Sequence, residues 1–249
     1  MELVLEDAKL FKSCIDAIVN LVDEGSFEVS KNGLHLRTMD PSQIALVDFT
    51  LGAEAFKKID ADEPAALGIN LVDLSKILSR SRSSEKLSLS LDEKESNKLS
   101  LEFLGANKRT FKLPLLDLAV SSPKEPKIQF DSHIKMRGGA FKELLKDASL
   151  ISSHVSIDVW ADKFLVEAHG DSGDLKAETE KSSPDLVELT SQAKSRAIFP
   201  FEYLDNMTRA CPDEEVLSLD LKSDAPMRLS YSIGAAKLSY YLAPRVETA

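Results

Sequence analysis

Residues 8–22 read AKLFKSCIDAIVNLV, and this stretch decides how the chain folds. Its apolar residues lie three or four positions apart: Phe11, Cys14, Ile15, Ile18 and Val22. This spacing is typical of an α-helix that buries one face against a core and leaves the other in water. We therefore predict an amphipathic helix over 8–22, followed by elements that can receive its apolar face.

Those elements are predicted from alternation, because apolar and polar residues alternate in strands that bury one face. Three alternating segments follow the helix, at 26–30, 33–39 and 44–51. A second set then begins: a strand at 65–70, a shorter helix at 71–80, and strands at 86–92, 98–103 and 109–114. A strand, a helix and three strands thus occur twice. This order predicts an α+β fold with helices on one face of antiparallel sheets.

The chain also aligns with itself at a shift of 130 residues, as from Phe11 to Phe141. The apolar phase is kept through both helical and alternating segments, which favours two copies of one fold. We predict domains at 1–114 and 131–249, joined by a connecting loop at 115–130 that Pro123 and Pro126 interrupt. Residues 238–242 fall beyond the last aligned strand, so we predict that they have no counterpart in the first half.

Composition limits the possible functions. The chain has 249 residues, 43% of them hydrophobic, and a formal net charge of −10. This charge argues against binding nucleic acid over the whole surface but allows a local basic patch. Cys14 and Cys211 occupy apolar helix positions and are predicted to be reduced core residues. Without an apolar run of membrane-spanning length or a leader after Met1, we predict no export or membrane insertion.

Active-site patterns are sparse. The segment AHGDSG at 168–173 resembles a protease nucleophile loop, and a hydrolase using Asp171 and Ser172 is one hypothesis. A turn between two strands is the better interpretation, because the partner motifs are missing. The four histidines, His35, His133, His154 and His169, lack metal-ligand spacing. We predict no catalytic residue, metal or cofactor.

The predicted helices are basic on the side away from the core. The cations on these faces and directly after them are Lys9, Lys12, Lys76, Arg80, Arg82, Lys142, Lys146 and Arg209. Four related helices with this property on an acidic chain favour a positive track for sequence-independent contact with phosphates. Aromatic residues that could stack on single-stranded bases are missing from these faces, so duplex is favoured.

Five motifs run through the chain in order: MDPSQIALVDFTL at 39–51, GINLVDLSKIL at 68–78, RTFKLPLLDL at 109–118, LKDASLIS at 145–152 and YYLAPRVE at 240–247. They closely resemble the proliferating cell nuclear antigen family of DNA sliding clamps, most of all archaeal members. The resemblance implies a two-domain subunit, three of which close head-to-tail into a ring around duplex DNA. It assigns the cations above to phosphate contact. Such a clamp is a non-enzymatic processivity factor that tethers polymerase to DNA.

The resemblance also implies binding sites for proteins. A pocket for short peptides with a glutamine and aromatic anchors would use Met39, Gln43, Ile44, Leu46, Val120, Pro123, Pro226, Tyr241, Leu242, Ala243 and Pro244. The subunit interface would use Arg109, Phe111, Leu113, Leu175 and Ala177. Implied partners are double-stranded DNA, DNA polymerase, clamp loader, flap endonuclease, ligase and further copies of the chain in a homotrimer.

Two matters stay open at this stage. The polar strand at 174–181 leaves room for a ring of related subunits, so a clamp-like subunit of a hetero-oligomeric ring with an accessory or checkpoint role is the alternative function. The expected location is the cytoplasm, at the nucleoid, if the source is archaeal, and the nucleus if it is eukaryotic.

Overall fold

A computed structural model describes residues 1–61, 63–91, 97–118 and 122–245. Their packing divides them into two compact units. As far as its residues are described, the first unit comprises Met1–Pro41, Val47–Pro123 and Ile233–Leu238. The second comprises Ser42–Leu46, Lys124–Ser232 and the described residues from Ser239 onward.

The first half of the chain contains nine strands and two α-helices among its described residues. They are β1 (Glu2–Leu5), α1 (Ala8–Val19), β2 (Glu24–Ser30), β3 (Gly33–Met39), β4 (Ala45–Gly52), β5 (Phe56–Asp60), β6 (Ala65–Asn70), α2 (Leu71–Leu78), β7 (Lys86–Leu91), β8 (Lys98–Leu104) and β9 (Lys108–Pro114). Five strands pair in the order β5-β1-β7-β8-β9, and four in the order β6-β2-β3-β4.

The second half repeats this arrangement. Its elements are β10 (Ser132–Arg137), α3 (Gly138–Ser149), β11 (His154–Val159), β12 (Lys163–Gly170), β13 (Gly173–Glu180), β14 (Leu186–Ser191), β15 (Ser195–Pro200), α4 (Phe201–Thr208), β16 (Val216–Leu221), β17 (Met227–Ile233) and β18 (Ala236–Leu242). Strands pair in the orders β14-β10-β16-β17-β18 and β13-β12-β11-β15. The pairing is antiparallel, as between β1 and β7, β7 and β8, and β11 and β12, so the predicted α+β class is confirmed.

The helices pack their apolar faces on the sheets. Phe11 of α1 and Leu74 of α2 line one enclosed apolar space together with strand residues such as Phe27. In the second unit, Phe141 of α3 contacts Phe164 of β12, with ring centroids 6.3 Å apart. Burying each of these large side chains stabilises the fold by roughly 1.5–3 kcal/mol. The opposite face of each helix is left for polar and charged residues.

Both cysteines belong to these cores, as predicted. Cys14 is completely buried on α1, and Cys211 is 2% exposed just after α4. Burial raises the pKa of each thiol to about 12. A thiol that stays protonated is a poor nucleophile and a poor metal ligand. Neither cysteine forms a disulfide.

The predicted repeat is present in the structure. Helices α1 and α3 begin 130 residues apart, and so do α2 and α4. The prediction that residues 238–242 lack a counterpart is wrong, because β18 follows β17 as β9 follows β8. Two of the connections in the second half are each one residue shorter, 222–226 against 92–97 and 234–235 against 105–107. The shift therefore falls to 128 at the last strand, and a fixed shift of 130 misses it.

Other boundaries differ from the predictions near helix ends and sheet edges. Helix α1 ends at Val19 rather than 22, although Leu21 and Val22 stay buried. Helix α2 ends at Leu78, and the amide of Arg80 donates to the carbonyl of Ile77 in a tighter final turn. Residue 92, at the end of the strand predicted over 86–92, lies outside the described residues.

Strands β5 and β14 were not predicted. Both lie at the edge of a sheet, where one side of the strand has no neighbour among the described residues. Strand β5 buries none of its residues, and β14 buries only Leu186 and Leu189. An edge strand with few buried positions shows little alternation, so the hydrophobic pattern does not indicate it.

Candidate functional site

The helices of the first unit present cations to solvent. Lys9 donates to the hydroxyl of Ser83 at 2.8 Å, which holds the start of α1 beside the segment 79–83 that follows α2. Lys12 forms an ion pair with Asp16 one turn along α1. Asp16 also accepts from Ser75 of α2 at 3.1 Å, so the two helices share one polar surface. We call this surface, formed by α1, α2 and residues 79–83, the first helix face.

Two of its cations are not neutralised locally. Lys76 pairs with Asp73 at 3.0 Å on α2. Arg80 and Arg82 are exposed and form no ion pair with any residue that the structure describes. A guanidinium without a carboxylate partner is available to a phosphate, with which it can form two parallel hydrogen bonds.

The equivalent surface of the second unit differs. We call the surface formed by α3, α4 and residues 209–213 the second helix face. Lys146 pairs with Glu143 at 2.6 Å, and Arg209 pairs with Asp205 at 2.5 Å. The hydrogen bond from Glu143 raises the pKa of Lys146, and Asp213 and Asp205 raise it further. The predicted cations are therefore all on these faces, but those of the second unit lie among carboxylates.

Lys142 has a structural role on the second helix face. Its ammonium donates to the backbone carbonyl of Cys211 at 2.8 Å and pairs with Asp213. The amides of Gly138 and Gly139, at the start of α3, donate to the carbonyls of Glu215 and Asp213. Lys142 and these amides together hold α3 to the loop after α4. The side chain is only 21% exposed, so it has little freedom to turn towards a phosphate.

The peptide-pocket residues predicted in the second unit fall into two groups. The amide of Ala243 donates to the carbonyl of Ile44 at 2.9 Å, which joins the chain after β18 to the segment before β4. Ile44, Ala243, Pro244 and Pro226 are half-exposed, and Gln43 is exposed with a positive φ of 60°. By contrast, Leu46 is 4% exposed and Leu242 is fully buried. These two leucines support the surface from beneath and do not form its rim.

The other predicted pocket residues need separate statements. Met39 and Pro123 are half-buried in the first unit. Val120 lies outside the described residues. The start of the predicted connecting loop is fixed within the first unit, because the amide of Leu116 donates to the carbonyl of Gly68 at 2.9 Å.

Tyr241 lies beside a cavity of about 720 Å³ in the second unit. Its hydroxyl donates to Glu125 at 2.6 Å, and its side chain is 4% exposed. Burial and the nearby Glu125 carboxylate raise the pKa of Tyr241 to about 12, so the hydroxyl keeps its proton. The alternation in β18 predicted that Tyr241 would face outward from the core. It faces the end of the connecting loop instead.

Arg228 and Phe130 line the same cavity and were missed from the sequence. The Arg228 guanidinium lies over the Phe130 ring at 5.5 Å and donates to Asp220 at 2.6 Å. Burial opposes the charge of Arg228, but the Asp220 hydrogen bond prevails and its pKa is raised. The available signal was the alternation of β17, which turns Arg228 outward two residues after Pro226.

The predicted interface residues lie on two sheet edges. Strands β9 and β13 each pair on one side only among the described residues. Arg109 of β9 donates to Glu85 at 2.6 Å and lies over the Phe103 ring, while Phe111 is half-buried and Leu113 buried. Leu175 and Ala177 alternate with exposed residues along β13.

The residues of the hydrolase hypothesis do not assemble a nucleophilic site. Asp171 and Ser172 form the exposed turn that joins β12 to β13. The neighbouring His169 bonds to Asp174 at 2.7 Å and not to Ser172. Among the described residues, no group of three or more His, Cys, Asp or Glu side chains could hold a metal ion. No described helix is long and apolar enough to cross a membrane.

Comparison with known proteins covers the whole chain. Family models for the N-terminal and C-terminal domains of proliferating cell nuclear antigen match residues 1–122 and 124–246. A "DNA polymerase sliding clamp" from Methanococcus maripaludis is 37% identical over 242 residues, which is 96% of each chain. The resemblance seen in the motifs is thus confirmed.

Solved structures agree with the fold. The crystal structure of PCNA from Thermococcus kodakaraensis superposes with a TM-score of 0.93 at 27% identity, covering 98% of this chain and 99% of that one. A structure of A. fulgidus PCNA with the C-terminal region of FEN-1 bound gives a TM-score of 0.90 at 25% identity, covering 100% and 99%. The predicted clamp fold is confirmed by these matches.

The structural role of Lys142 leads to a test. We expect Lys142→Met to lower the free energy of unfolding by about 2 kcal/mol, because the buried Cys211 carbonyl loses a charged donor. The matched variant Lys146→Met removes an exposed surface ion pair and should change it by less than about 0.5 kcal/mol. Denaturant unfolding at fixed protein concentration measures both. Equal effects would show that Lys142 does not anchor α3.

Proposed function

This chain belongs to the proliferating cell nuclear antigen family, and we propose that it is the subunit of a DNA polymerase sliding clamp. The observation that carries the proposal is its similarity, over 96% of each chain, to the DNA polymerase sliding clamp of Methanococcus maripaludis. Closed around duplex DNA, the ring would hold polymerase near its template without chemistry of its own. Tethering of this kind raises the effective concentration of an enzyme at its substrate. The alternative of a hetero-oligomeric accessory ring is not favoured by these relatives.

Three copies would close head-to-tail through the two open sheet edges. Strand β9 carries Lys108, Arg109 and Lys112 and no carboxylate. Strand β13 carries three carboxylates, at Asp174, Glu178 and Glu180, against one lysine. Pairing the two edges would add strand hydrogen bonds and join opposite charges. The polarity of β13, which left the partner open in the sequence, therefore matches another copy of this chain.

A charge swap tests this interface. We expect Lys108→Glu with Lys112→Glu to shift the protein from trimer towards monomer, because like charges would then face each other. Adding Glu178→Lys and Glu180→Lys should restore the trimer. Native mass spectrometry at micromolar concentration gives the ratio of species. A double variant that stays fully trimeric would place the interface elsewhere.

The topology of DNA tests the clamp itself. A ring that encircles DNA without gripping it stays on a closed circle and slides off free ends. We expect the chain, loaded on a nicked plasmid by an archaeal clamp loader, to co-elute with the circle and to dissociate after a single restriction cut. Equal retention on circular and linear DNA would mean ordinary binding and would overturn the proposal.

Partner enzymes would dock on the second-unit surface that contains Ile44, Ala243 and Pro244. The solved relative with the C-terminal region of FEN-1 bound supports a peptide-binding role for this fold. Half-exposed apolar residues around a backbone hydrogen bond provide a small, rigid hydrophobic surface. By family resemblance, Met39, Val120 and Pro123 would also contribute. The partners we propose are polymerase, clamp loader, flap endonuclease and ligase.

A single charge should disrupt this docking. We expect Ile44→Asp to weaken binding of a flap-endonuclease C-terminal peptide about thirtyfold, the effect of losing a hot spot of about 2 kcal/mol. Val187→Asp is the matched control, because Val187 is an exposed apolar residue, 56% accessible, on β14. Fluorescence anisotropy with a labelled peptide measures both affinities. A loss of binding with Val187→Asp and none with Ile44→Asp would move the docking surface to β14.

A location follows from this function. The relatives named above are archaeal, and a clamp works where the chromosome lies. We propose that the protein acts in the cytoplasm at the nucleoid, as a non-enzymatic factor without a cofactor. Its site residues would then be contact residues for DNA, for peptides and for other subunits.

A further inference from the structure

We propose that the first helix face makes the principal contact with duplex phosphates and that the second helix face contributes little. The inference rests on the proposed clamp function and deepens it, because it divides the DNA-contact residues between two surfaces that share one fold. Its basis is the set of charges that the two faces carry at equivalent positions.

The shift of 130 residues pairs every position on one face with a position on the other. Lys9, Lys76, Arg80 and Arg82 correspond to uncharged residues in the second half: Gly139, Asn206, Ala210 and Pro212. Conversely, five carboxylates of the second face, Glu143, Asp147, Glu202, Asp205 and Asp213, occupy positions that are uncharged in the first: Ser13, Ala17, Val72, Ser75 and Ser83. Only the lysine at 12 and 142 is common to both.

The totals therefore have opposite sign. Over residues 8–19 and 71–83, five cations and two carboxylates give a net charge of +3. Over the equivalent residues 138–149 and 201–213, three cations and five carboxylates give −2. Neutralising phosphates and releasing their counterions requires positive charge, which the first face has in excess and the second lacks.

Local pairing strengthens this difference on the first face. Its two carboxylates are paired with Lys12 and Lys76, which leaves three cations over. Lys9 bonds only to a neutral hydroxyl of Ser83, and Arg80 and Arg82 have no ion pair among the described residues. The Lys9–Ser83 bond places these three cations around one end of α1.

On the second face, the cations are already neutralised. Lys142, Lys146 and Arg209 each pair with a carboxylate of the same face. Asp147 and Glu202 remain exposed without an ion pair among the described residues. A phosphate approaching this face would have to displace an existing carboxylate from each cation and would be repelled by the two that remain.

Two matched double variants test the inference. Arg80→Gln with Arg82→Gln removes two cations that have no ion pair, and Lys146→Gln with Arg209→Gln removes two that have one. Each double changes the net charge by the same amount, and all four side chains are exposed, so both variants should fold. Affinity for a short duplex is measured by fluorescence anisotropy across a range of salt concentrations, with the FEN-1-type peptide as a control for folding.

We expect the Arg80/Arg82 double to lower duplex affinity about tenfold and to reduce the salt slope by about 0.9 for each phosphate that is no longer neutralised. The Lys146/Arg209 double should lower affinity less than about twofold. A third variant, Asp147→Asn with Glu202→Gln, should raise affinity, because it removes the two unpaired carboxylates.

Other outcomes separate the inference from the proposed function. Equal reductions of affinity in the two cation doubles would overturn the inference and leave the clamp function intact, because both faces would then contact DNA. A greater reduction in the Lys146/Arg209 double would reverse the assignment. If neither double changes the affinity or the salt slope, and the wild-type chain is not retained on circular DNA, the clamp function fails as well.

Discussion

Burial of the helix faces that contain Phe11 and Phe141 is the constraint on which the rest of the structure depends. Phe11 is 2% exposed and Phe141 is fully buried, each at the centre of an apolar stripe. Once these stripes are seated on a sheet, the rotation of each helix is fixed. The side chains on the opposite face then point to solvent whatever their charge. Packing thereby separates a core of the same shape in both units from a surface that is free to differ between them.

The two helix faces show what that freedom allows. Their backbones correspond residue for residue, yet one carries a net charge of +3 and the other −2. Core packing does not sense these charges, because exposed ion pairs contribute little to stability. Binding of a polyanion does sense them, because its free energy depends on uncompensated cations. A duplicated fold can thus keep its architecture while its two halves acquire different roles.

The C-terminal strand joins core and surface through two consecutive tyrosines. The hydroxyl of Tyr231 donates to the carbonyl of Met207 at 2.9 Å, and Tyr240 stacks on Tyr231 with centroids 5.9 Å apart. Tyr241 turns to the other side and bonds to Glu125 near the end of the connecting loop. Two residues later, Ala243 bonds to Ile44. A short segment therefore fixes the second-unit core, the loop end and the proposed peptide surface together.

The sequence by itself determined the periodic features of this protein. The helical spacing in 8–22, the alternation in most strands and the repeat all predicted elements that the structure contains, and five motifs identified the family. These signals are local or regularly spaced, so they can be read without coordinates. The cations of both helix faces were identified in the same way, from their position opposite an apolar stripe.

Only the tertiary structure decided which partner each side chain has. The edge strands β5 and β14, the anchoring of Lys142 to Cys211, the burial of Leu242 and the cavity beside Arg228 all depend on contacts between residues far apart in the chain. The same holds for the difference between Arg80, which has no ion pair among the described residues, and Lys146, which is paired with Glu143. Hydrophobic periodicity records whether a residue faces a core, but the charge left on a surface depends on which neighbours the fold brings within a few ångströms.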